Sequence, residues 1–420
     1  MKQLIALIII IICVLSLATP VIADGHVGNT SVTVVGGGST PPMVKCVWEQ
    51  EPDNNLTYPP CDITAPAVVN NLESGDVNHT LYPTVSDPHA YSQFNPPMHK
   101  GATKTIQYFA VVTDAEDMGA VANVFALVFH PVNSPAPYGT YTGTVPDPGA
   151  DPTLAARFKY KIEFTDLGHS AAQITQVLTA NNDHLVDFNT GFDISEIAGL
   201  QTSELNKGTA DLWMGTAEID YEQPGGYYTV RDYAIDTNNA YSTALENQFL
   251  YVPTPGVEVD FTAFNYGPVN LHAHVIRAGD LTWNDRTTDG TPVGTAGYNS
   301  YGATVRNIGN VWTKITVQQN DMAFGNHAGS NAVTTYQGMT APTAAQSNWN
   351  VYYDLRLGST GAEGFYDPNV AYTTPEFLGL STLEELDFSI NVYQGSGTHT
   401  GTMTISATEE PFNGESPHPF

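Results

Sequence analysis

The sequence predicts a mainly β protein built from two tandem antiparallel β-sandwiches of the Ig-like or jelly-roll type, the first with a helical insertion. Three observations predict it. Apolar and polar residues alternate in many short segments, turns rich in Gly and Asn separate those segments, and the 420 residues include 37 Gly, 28 Pro and 22 Tyr. Short alternating strands bounded by turn residues are typical of sandwiches.

The alternation is clearest in the second half of the chain. Its strand-like segments are Val257–Ala263, Val311–Val317, Val351–Leu357, Phe388–Val392 and Met403–Ala407. Alternation with a period of two indicates antiparallel strands with one face in water. Residues Asn307–Asn310 predict a tight hairpin in which Gly309 supplies a positive φ. We therefore expect a second sandwich over residues 256–412, followed by a tail at 413–420.

The first sandwich is predicted over residues 101–255. Thr105–Val112 and Ala122–His130 are both rich in strand-forming residues and flank an acidic turn, which is a hairpin signal. Between them and the later strands, apolar residues recur at near-helical spacing from Ile194 to Leu205, with Ser195 as an N-cap. This pattern predicts a helical insertion at about 171–220.

The first 23 residues have the features of a secretory signal peptide. Lys2 precedes an apolar stretch, Leu4–Leu17, of about 14 residues, whereas a membrane span needs about 20. An uncleaved N-terminal anchor is the alternative. Residues 24–100 are rich in Pro, Gly and Asn and are predicted to be a leader that acts as a linker.

The leader contains both cysteines that would remain after export, Cys46 and Cys61. In an exported chain such a pair predicts a disulfide, and a loop of this size stabilises a fold by about 3 kcal/mol; a metal-binding pair is the alternative. The leader also contains three N-glycosylation sequons, at Asn29, Asn55 and Asn78. Their clustering predicts an exposed, glycosylated segment.

The charge of the chain restricts its partners. Fourteen Lys and Arg stand against 43 Asp and Glu, a formal net charge of −29. Binding to nucleic acid requires basic residues that displace counterions, and an anionic membrane surface repels an acidic protein, so both classes of partner are disfavoured. The expected partners are other copies, other envelope proteins or carbohydrate, and the only cofactor that the acidic composition suggests is calcium.

Two groups of residues are candidate metal ligands. Asp114, Glu116 and Asp117 lie in the acidic turn, where clustered carboxylates bind Ca²⁺, although the spacing is not that of an EF-hand and ordinary turns have the same composition. His272 and His274 are predicted on one face of a strand, a spacing found in zinc and copper sites. Surface histidines without a metal are the alternative for this pair.

Exposed aromatic residues are the remaining candidates for a binding role. Four of them lie on or beside predicted strands, where they could stack on sugars or on a neighbouring subunit: Trp283, Trp312, Trp349 and Tyr352. Core packing is the alternative. The sequence contains no Gly-x-Ser-x-Gly elbow and no His-Glu-x-x-His motif. We therefore predict no catalytic residues and no enzyme, with a hydrolase that uses paired carboxylates as a further alternative.

Several segments carry a resemblance to known proteins. The hairpin Ala303–Asn310 resembles one found in secreted Ig-like modules, and the segments Asp321–Gly325, Trp349–Gly358, Leu386–Val392 and Gly401–Ala407 are similar to the C-terminal half of uncharacterised exported surface proteins of methanogenic archaea. The resemblance covers most of residues 43–412. It implies an extracellular sandwich protein of the cell envelope without catalytic residues. Export and the lack of a catalytic motif favour a structural protein of an extracellular layer, sheath or filament; a carbohydrate-binding module is the alternative.

Overall fold

The computed structural model describes residues 40–52, 92–115, 118–149, 151–170, 172–173, 187–188, 209–283, 302–331 and 347–410, all within the compact unit Thr40–Phe420. Two strand-rich regions follow each other along this unit. The predicted signal peptide and tail lie outside the described residues. Among the described residues, no helix is both long enough and apolar enough to span a membrane.

The first region is a sandwich of two five-stranded sheets. Its strands are β1 (Met43–Gln50), β2 (Ser92–Phe94), β3 (Thr103–Thr113), β4 (Val121–Phe129), β5 (Phe158–Glu163), β6 (Thr165–Gly168), β7 (Asp187–Phe188), β8 (Ala210–Asp220), β9 (Gly226–Asp236) and β10 (Leu245–Tyr251). One sheet has the order β6-β8-β3-β1-β7 and the other β2-β10-β9-β4-β5. All neighbours are antiparallel except β2 and β10, which are parallel. A 3-10 turn, Met118–Ala120, and a single helical turn, Pro152–Ala155, connect strands.

The alternation along the strands explains the core between these sheets. On β3 the inward side chains include Ile106, Tyr108 and Val112, which are at most 1% exposed. From the facing sheet, the rings of Tyr228 and Phe249 stack with their centroids 5.0 Å apart, a contact that contributes about 0.5–1.5 kcal/mol beyond the buried area. Side chains of both sheets thus form one apolar layer.

Three polar side chains interrupt this layer. Asp232 on β9 and Asn247 on β10 lie on the same face of their strands as the core residues and are 1% and 5% exposed. The amide of Asn247 donates to both carboxylate oxygens of Glu49 on β1, at 2.8 and 2.9 Å. Burial raises the pKa of Asp232 well above its usual value, and the nearby charge of Glu49 raises it further.

The second region has two main sheets and a small hairpin. Its strands are β11 (Val257–Val259), β12 (His274–Arg277), β13 (Thr304–Asn307), β14 (Trp312–Gln319), β15 (Asn326–Asn331), β16 (Ser347–Trp349), β17 (Val351–Leu357), β18 (Gly364–Tyr366), β19 (Tyr372–Leu378), β20 (Leu383–Val392) and β21 (Met403–Glu410). One sheet has the order β11-β13-β20-β17-β18, with β12 also on β20, and the other β19-β14-β21; β15 pairs with β16. Ile315, Val317, Tyr353 and Phe388 pack between the two main sheets.

The fold confirms the predicted mainly β, antiparallel class. The helical insertion is not confirmed. Residues 210–220, assigned to it, form β8, which pairs with β3 along its whole length, from Thr103↔Asp220 to Thr113↔Ala210. The tertiary pairing decides their conformation, and most of residues 171–209 lie outside the described residues.

Two strands come from the stretch that the sequence assigned to the leader. β1 lies between β3 and β7, and β2 extends the other sheet. Cys46 on β1 is a free cysteine with no exposed surface, so the structure does not support the predicted disulfide; Cys61 lies outside the described residues. Burial raises the pKa of the Cys46 thiol to about 12.

The predicted hairpin at Asn307–Asn310 is wrong. β13 and β14 belong to different sheets, so the segment is a crossover between them. The Asn307 amide donates to the Val311 carbonyl at 2.8 Å and fixes the crossover. Gly309 is needed for close approach, because a Cβ there would lie 2.3 Å from the Thr254 carbonyl oxygen. Its φ is not among the positive ones.

The crossover also joins the two sandwiches. Asn310 is fully buried, and its side chain accepts from the Thr254 amide at 2.6 Å and donates to the Val252 carbonyl at 2.9 Å. Its own carbonyl accepts from the Gly225 amide at 2.7 Å. The short connection after β10 is therefore bound to both sandwiches, and we call these contacts the Asn310 junction.

Candidate functional site

The outer face of the β12–β20–β17 sheet has a group of polar side chains that are nearly inaccessible to solvent. Alternation on β17 and β20 places apolar residues inward and Asp354, Ser389 and Asn391 outward. These three residues are only 1–5% exposed. Charged and hydroxyl groups are seldom buried without a specific arrangement of partners, which makes this face a candidate site.

His274 is at the centre of this group, which we call the His274 cluster. Its Nε2 lies 2.5 Å from Asp354 Oδ2 and 2.7 Å from Ser389 Oγ, and the Ser389 hydroxyl donates to the same Asp354 oxygen. The His274 and Asp354 side chains are 5% and 2% exposed. One imidazole nitrogen, one carboxylate oxygen and one hydroxyl thus form a closed triangle.

This triangle lacks the geometry of an activated serine. In a Ser-His-Asp catalytic triad, the carboxylate binds one imidazole nitrogen and the serine the other, so that the histidine removes the hydroxyl proton. Here both groups meet the same nitrogen, and the hydroxyl donates to the carboxylate. The arrangement holds strands β12, β17 and β20 together and does not produce a nucleophile.

Charged groups continue along the same face. Arg356 Nε donates to Asp387 Oδ2 at 2.7 Å, and Asp387 Oδ1 accepts from the Gly279 amide at 2.7 Å. Burial, followed by the charge of Asp354, raises the pKa of Glu363. Asp354 Oδ1 and Asn391 Oδ1 are buried and have no hydrogen-bond partner among the described atoms. These two oxygen atoms of the cluster can therefore each accept a further hydrogen bond.

The structure separates the two histidines that the sequence placed on one strand face. β12 begins at His274, and His272 precedes it with φ +60°. The His272 ring lies 5.5 Å from that of Tyr393, edge to face. Within the described residues, no three His, Cys, Asp or Glu side chains group as metal ligands. The strand position predicted for His272 is wrong because His272 lies in the turn before β12, which begins two residues later at His274.

The other predicted sites are only partly described. Asp114 is 5% exposed, whereas Glu116 and Asp117 lie outside the described residues, as do the three sequons at Asn29, Asn55 and Asn78. The calcium and glycosylation assignments stay predictions. Tyr352, one of the candidate stacking residues, is 4% exposed, so its ring belongs to the buried face.

The two predicted stacking tryptophans have different surroundings. The Arg306 guanidinium lies 3.8 Å from the centre of the Trp283 ring and covers one of its faces. Arg306 Nε also donates a hydrogen bond to Glu258 Oε2 at 2.8 Å. Trp312 stacks on Phe377, with the ring centroids 4.5 Å apart and the planes within 13°. Phe377 is 44% exposed, so this second pair lies at the surface.

The pair belongs to the outer face of the β19-β14-β21 sheet, which we call the threonine face. Thr316 Oγ1 on β14 lies 2.8 Å from Thr373 Oγ1 on β19 and 3.2 Å from Thr408 Oγ1 on β21. Lys314 pairs with Glu410 at 2.8 Å. The face thus combines hydroxyl groups, one neutralised ion pair and one exposed aromatic pair.

A cleft of about 440 Å³ lies on the first sandwich. Arg231 and Tyr233 on β9 form its floor, and Gly149 and Tyr241 also line it. The Arg231 guanidinium contacts Asp147, Asp151 and Glu246 at 3.1, 3.8 and 2.8 Å. The sequence signals of this cleft are the acidic turn from Asp147 to Asp151 and the outward alternation of Arg231 and Tyr233.

Comparisons with known proteins give no family. No family model matches the chain, and no curated protein matches it. Among solved structures, the chain is similar to the CsuC–CsuE chaperone–tip adhesion subunit complex of Csu pili from Acinetobacter baumannii, with 10% identity, a TM-score of 0.23 and coverage of 76% of this chain and 97% of that one. It is also similar to the AgI/II polypeptide BspA C-terminal domain of Streptococcus agalactiae, with 11% identity, a TM-score of 0.19 and coverage of 76% and 92%. TM-scores this low carry no argument about function.

Proposed function

We propose that the chain is an extracellular structural protein that forms or decorates a layer, sheath or filament of a cell envelope by associating through its β-sandwiches. Export is supported by the signal-like N-terminus, and the resemblance to surface proteins of methanogenic archaea supports an archaeal envelope. The fold supplies sheet faces and strand edges for association. The proposed partner is a second copy of the same chain.

The threonine face is the observation on which this proposal rests. Each copy has a formal charge of −29, so two copies repel each other over most of their surface. On the threonine face, Lys314 and Glu410 neutralise each other, and the neighbouring side chains are hydroxyls and the Trp312–Phe377 pair. Repulsion between copies is reduced there, and the aromatic pair offers apolar area to bury.

The edge of the same sheet supports association as well. Within the described part of the chain, β21 pairs with β14 alone, over eight residue pairs from Trp312↔Glu410 to Gln319↔Met403. Side chains on both of its faces remain partly or fully exposed. An edge strand with this exposure is suited to pair with a strand of another copy.

The proposal is tested by measuring the mass of the exported chain in solution, by light scattering across a range of salt concentrations. We expect assemblies larger than a monomer that increase as salt screens the negative charge. Ser406→Glu places a charge on the exposed side of β21 and should weaken association at least about tenfold, because like charges across an interface cost several kcal/mol.

The matched control is Val132→Glu, which adds the same charge to the first sandwich at a residue that is 64% exposed. It should assemble like the wild type. A chain that is monomeric at every salt concentration, or two variants that assemble equally, would contradict the proposal. Immunogold labelling of intact cells tests the location separately, since internal labelling alone is incompatible with a surface protein.

A further inference from the structure

The cleft on the first sandwich has a rigid polar floor. Asp147 Oδ1 accepts from the Tyr233 hydroxyl at 2.5 Å and from the Gly149 amide at 2.8 Å, and its Oδ2 accepts from Arg231. Gly149 is required at this point, because a Cβ there would lie 2.8 Å from the Tyr233 hydroxyl oxygen. The loop before the helical turn is thus fixed directly against β9.

One carboxylate lines the cleft beside this floor. Glu246 accepts from Arg231 Nε through Oε2, and its side chain is 47% exposed. Its orientation is set by this one oxygen, while Oε1 takes no part in that hydrogen bond. Acceptors that are already ordered lose little entropy when a ligand binds.

Tyr241 gives the cleft an aromatic surface. Tyr241 is 45% exposed, and an isolated backbone bridge to Ile235 fixes its position next to the floor. The side chain of Thr243 is exposed beside it and adds a hydroxyl group. A flat aromatic ring next to fixed acceptors and a hydroxyl matches a molecule that has an apolar face and a rim of hydroxyl groups.

We propose that this cleft binds neutral oligosaccharides. The exposed Tyr241 ring stacks on the apolar face of a pyranose, and the Glu246 carboxylate accepts a hydrogen bond from one of its hydroxyl groups. Three carboxylates surround one guanidinium, so the cleft keeps an excess negative charge that disfavours sugars with carboxylate or sulfate groups. The cleft volume of about 440 Å³ lies within the usual range for small-ligand sites.

The site is independent of the proposed assembly, because the cleft belongs to β9 and β10 whereas the threonine face belongs to the second sandwich. The test is an array of neutral, amino-bearing and carboxylate-bearing oligosaccharides, followed by equilibrium titration of the sugars that bind. We expect binding of neutral glycans, and at least about a tenfold rise in Kd for Tyr241→Ala and for Glu246→Gln. Phe377→Ala removes a comparably exposed ring from the threonine face and should leave Kd unchanged.

Three outcomes would overturn the inference. The wild type binds no neutral glycan, or it binds one with an affinity that neither cleft variant changes. The third is binding of a polylysine probe that competes for the cleft and disappears at high salt, since this would show that the carboxylates and Tyr241 receive a cationic segment. Circular dichroism of each variant shows that a lost affinity is not a lost fold.

Discussion

At the scale of single residues, the core of the first sandwich contains a carboxyl group whose ionised form is disfavoured by burial. Asp232 is 1% exposed and lies near Glu49. Because its pKa is raised in the folded state, the folded protein retains a proton that the unfolded chain releases. The contribution of Asp232 to stability is therefore fully present at low pH and is lost as pH rises above the ordinary carboxyl range towards the raised pKa.

We predict that Asp232→Asn removes this loss. In the wild type, the free energy of unfolding should fall by up to about 1.4 kcal/mol per pH unit in that window. Urea unfolding between pH 4 and about 9 measures the slope. Glu218→Gln removes a carboxylate from an exposed position of β8 and should keep the wild-type slope. A wild type without any decrease towards high pH would refute the assignment.

Cys46 gives a second prediction at this scale. The thiol is buried and its pKa is about 12, so thiolate is scarce and reagents have no access. In the exported chain with Cys61→Ser, Cys46 should react with a thiol reagent only after unfolding in urea. Mass spectrometry of the unreduced wild-type chain is the companion measurement, and a Cys46–Cys61 cross-link in it would contradict the free thiol.

At the scale of elements, the sequence predicted strands better than their partners. The alternating segments at Val311, Val351 and Met403 all lie in strands, because alternation is a local property. The partners depend on distant residues: His274 meets Asp354 and Ser389, which are 80 and 115 positions away. No local pattern indicates such a cluster, nor that β13 and β14 lie in different sheets.

At this scale we predict that the crossover between β13 and β14 depends on the small size of Gly309. Gly309→Ala should lower the free energy of unfolding by about 2 kcal/mol or more, since its Cβ would clash with the Thr254 carbonyl and the Gly256 amide. Gly379→Ala is the control, where the nearest atom would be Thr382 Cγ2 at 3.1 Å and the loss should be smaller. Equal urea midpoints for Gly309→Ala and the wild type would exclude the close approach.

At the scale of the whole molecule, the Asn310 junction connects two sandwiches that the sequence predicts only as tandem domains. Asn310→Ala removes both side-chain hydrogen bonds; the Val252 carbonyl keeps the bond from Thr254 Oγ1 at 3.0 Å, whereas the Thr254 amide loses its side-chain partner. We expect a cost of about 1–3 kcal/mol for this unsatisfied amide. Limited proteolysis should then cut the variant between residues 252 and 256 faster than the wild type.

Ser381→Ala is the control for the junction, because it removes only the 2.7 Å contact between the Tyr221 and Ser381 hydroxyls. Its cleavage rate should stay close to that of the wild type. Equal cleavage of the Asn310 variant and the wild type would show that the junction does not hold the connection. This role was not predictable from the sequence, because an Asn-Ile-Gly-Asn segment is more typical of a simple turn.

The Asn310 junction has a mechanical consequence. A connection of five residues between two sandwiches would normally act as a hinge. Here the Asn310 side chain forms hydrogen bonds with both Val252 and Thr254 of this connection, and the Gly225 amide donates to the Asn310 carbonyl. A pulling force along the chain is therefore transmitted from one sandwich to the next before the connecting residues extend. A string of such molecules would resist bending at this point and yield elsewhere.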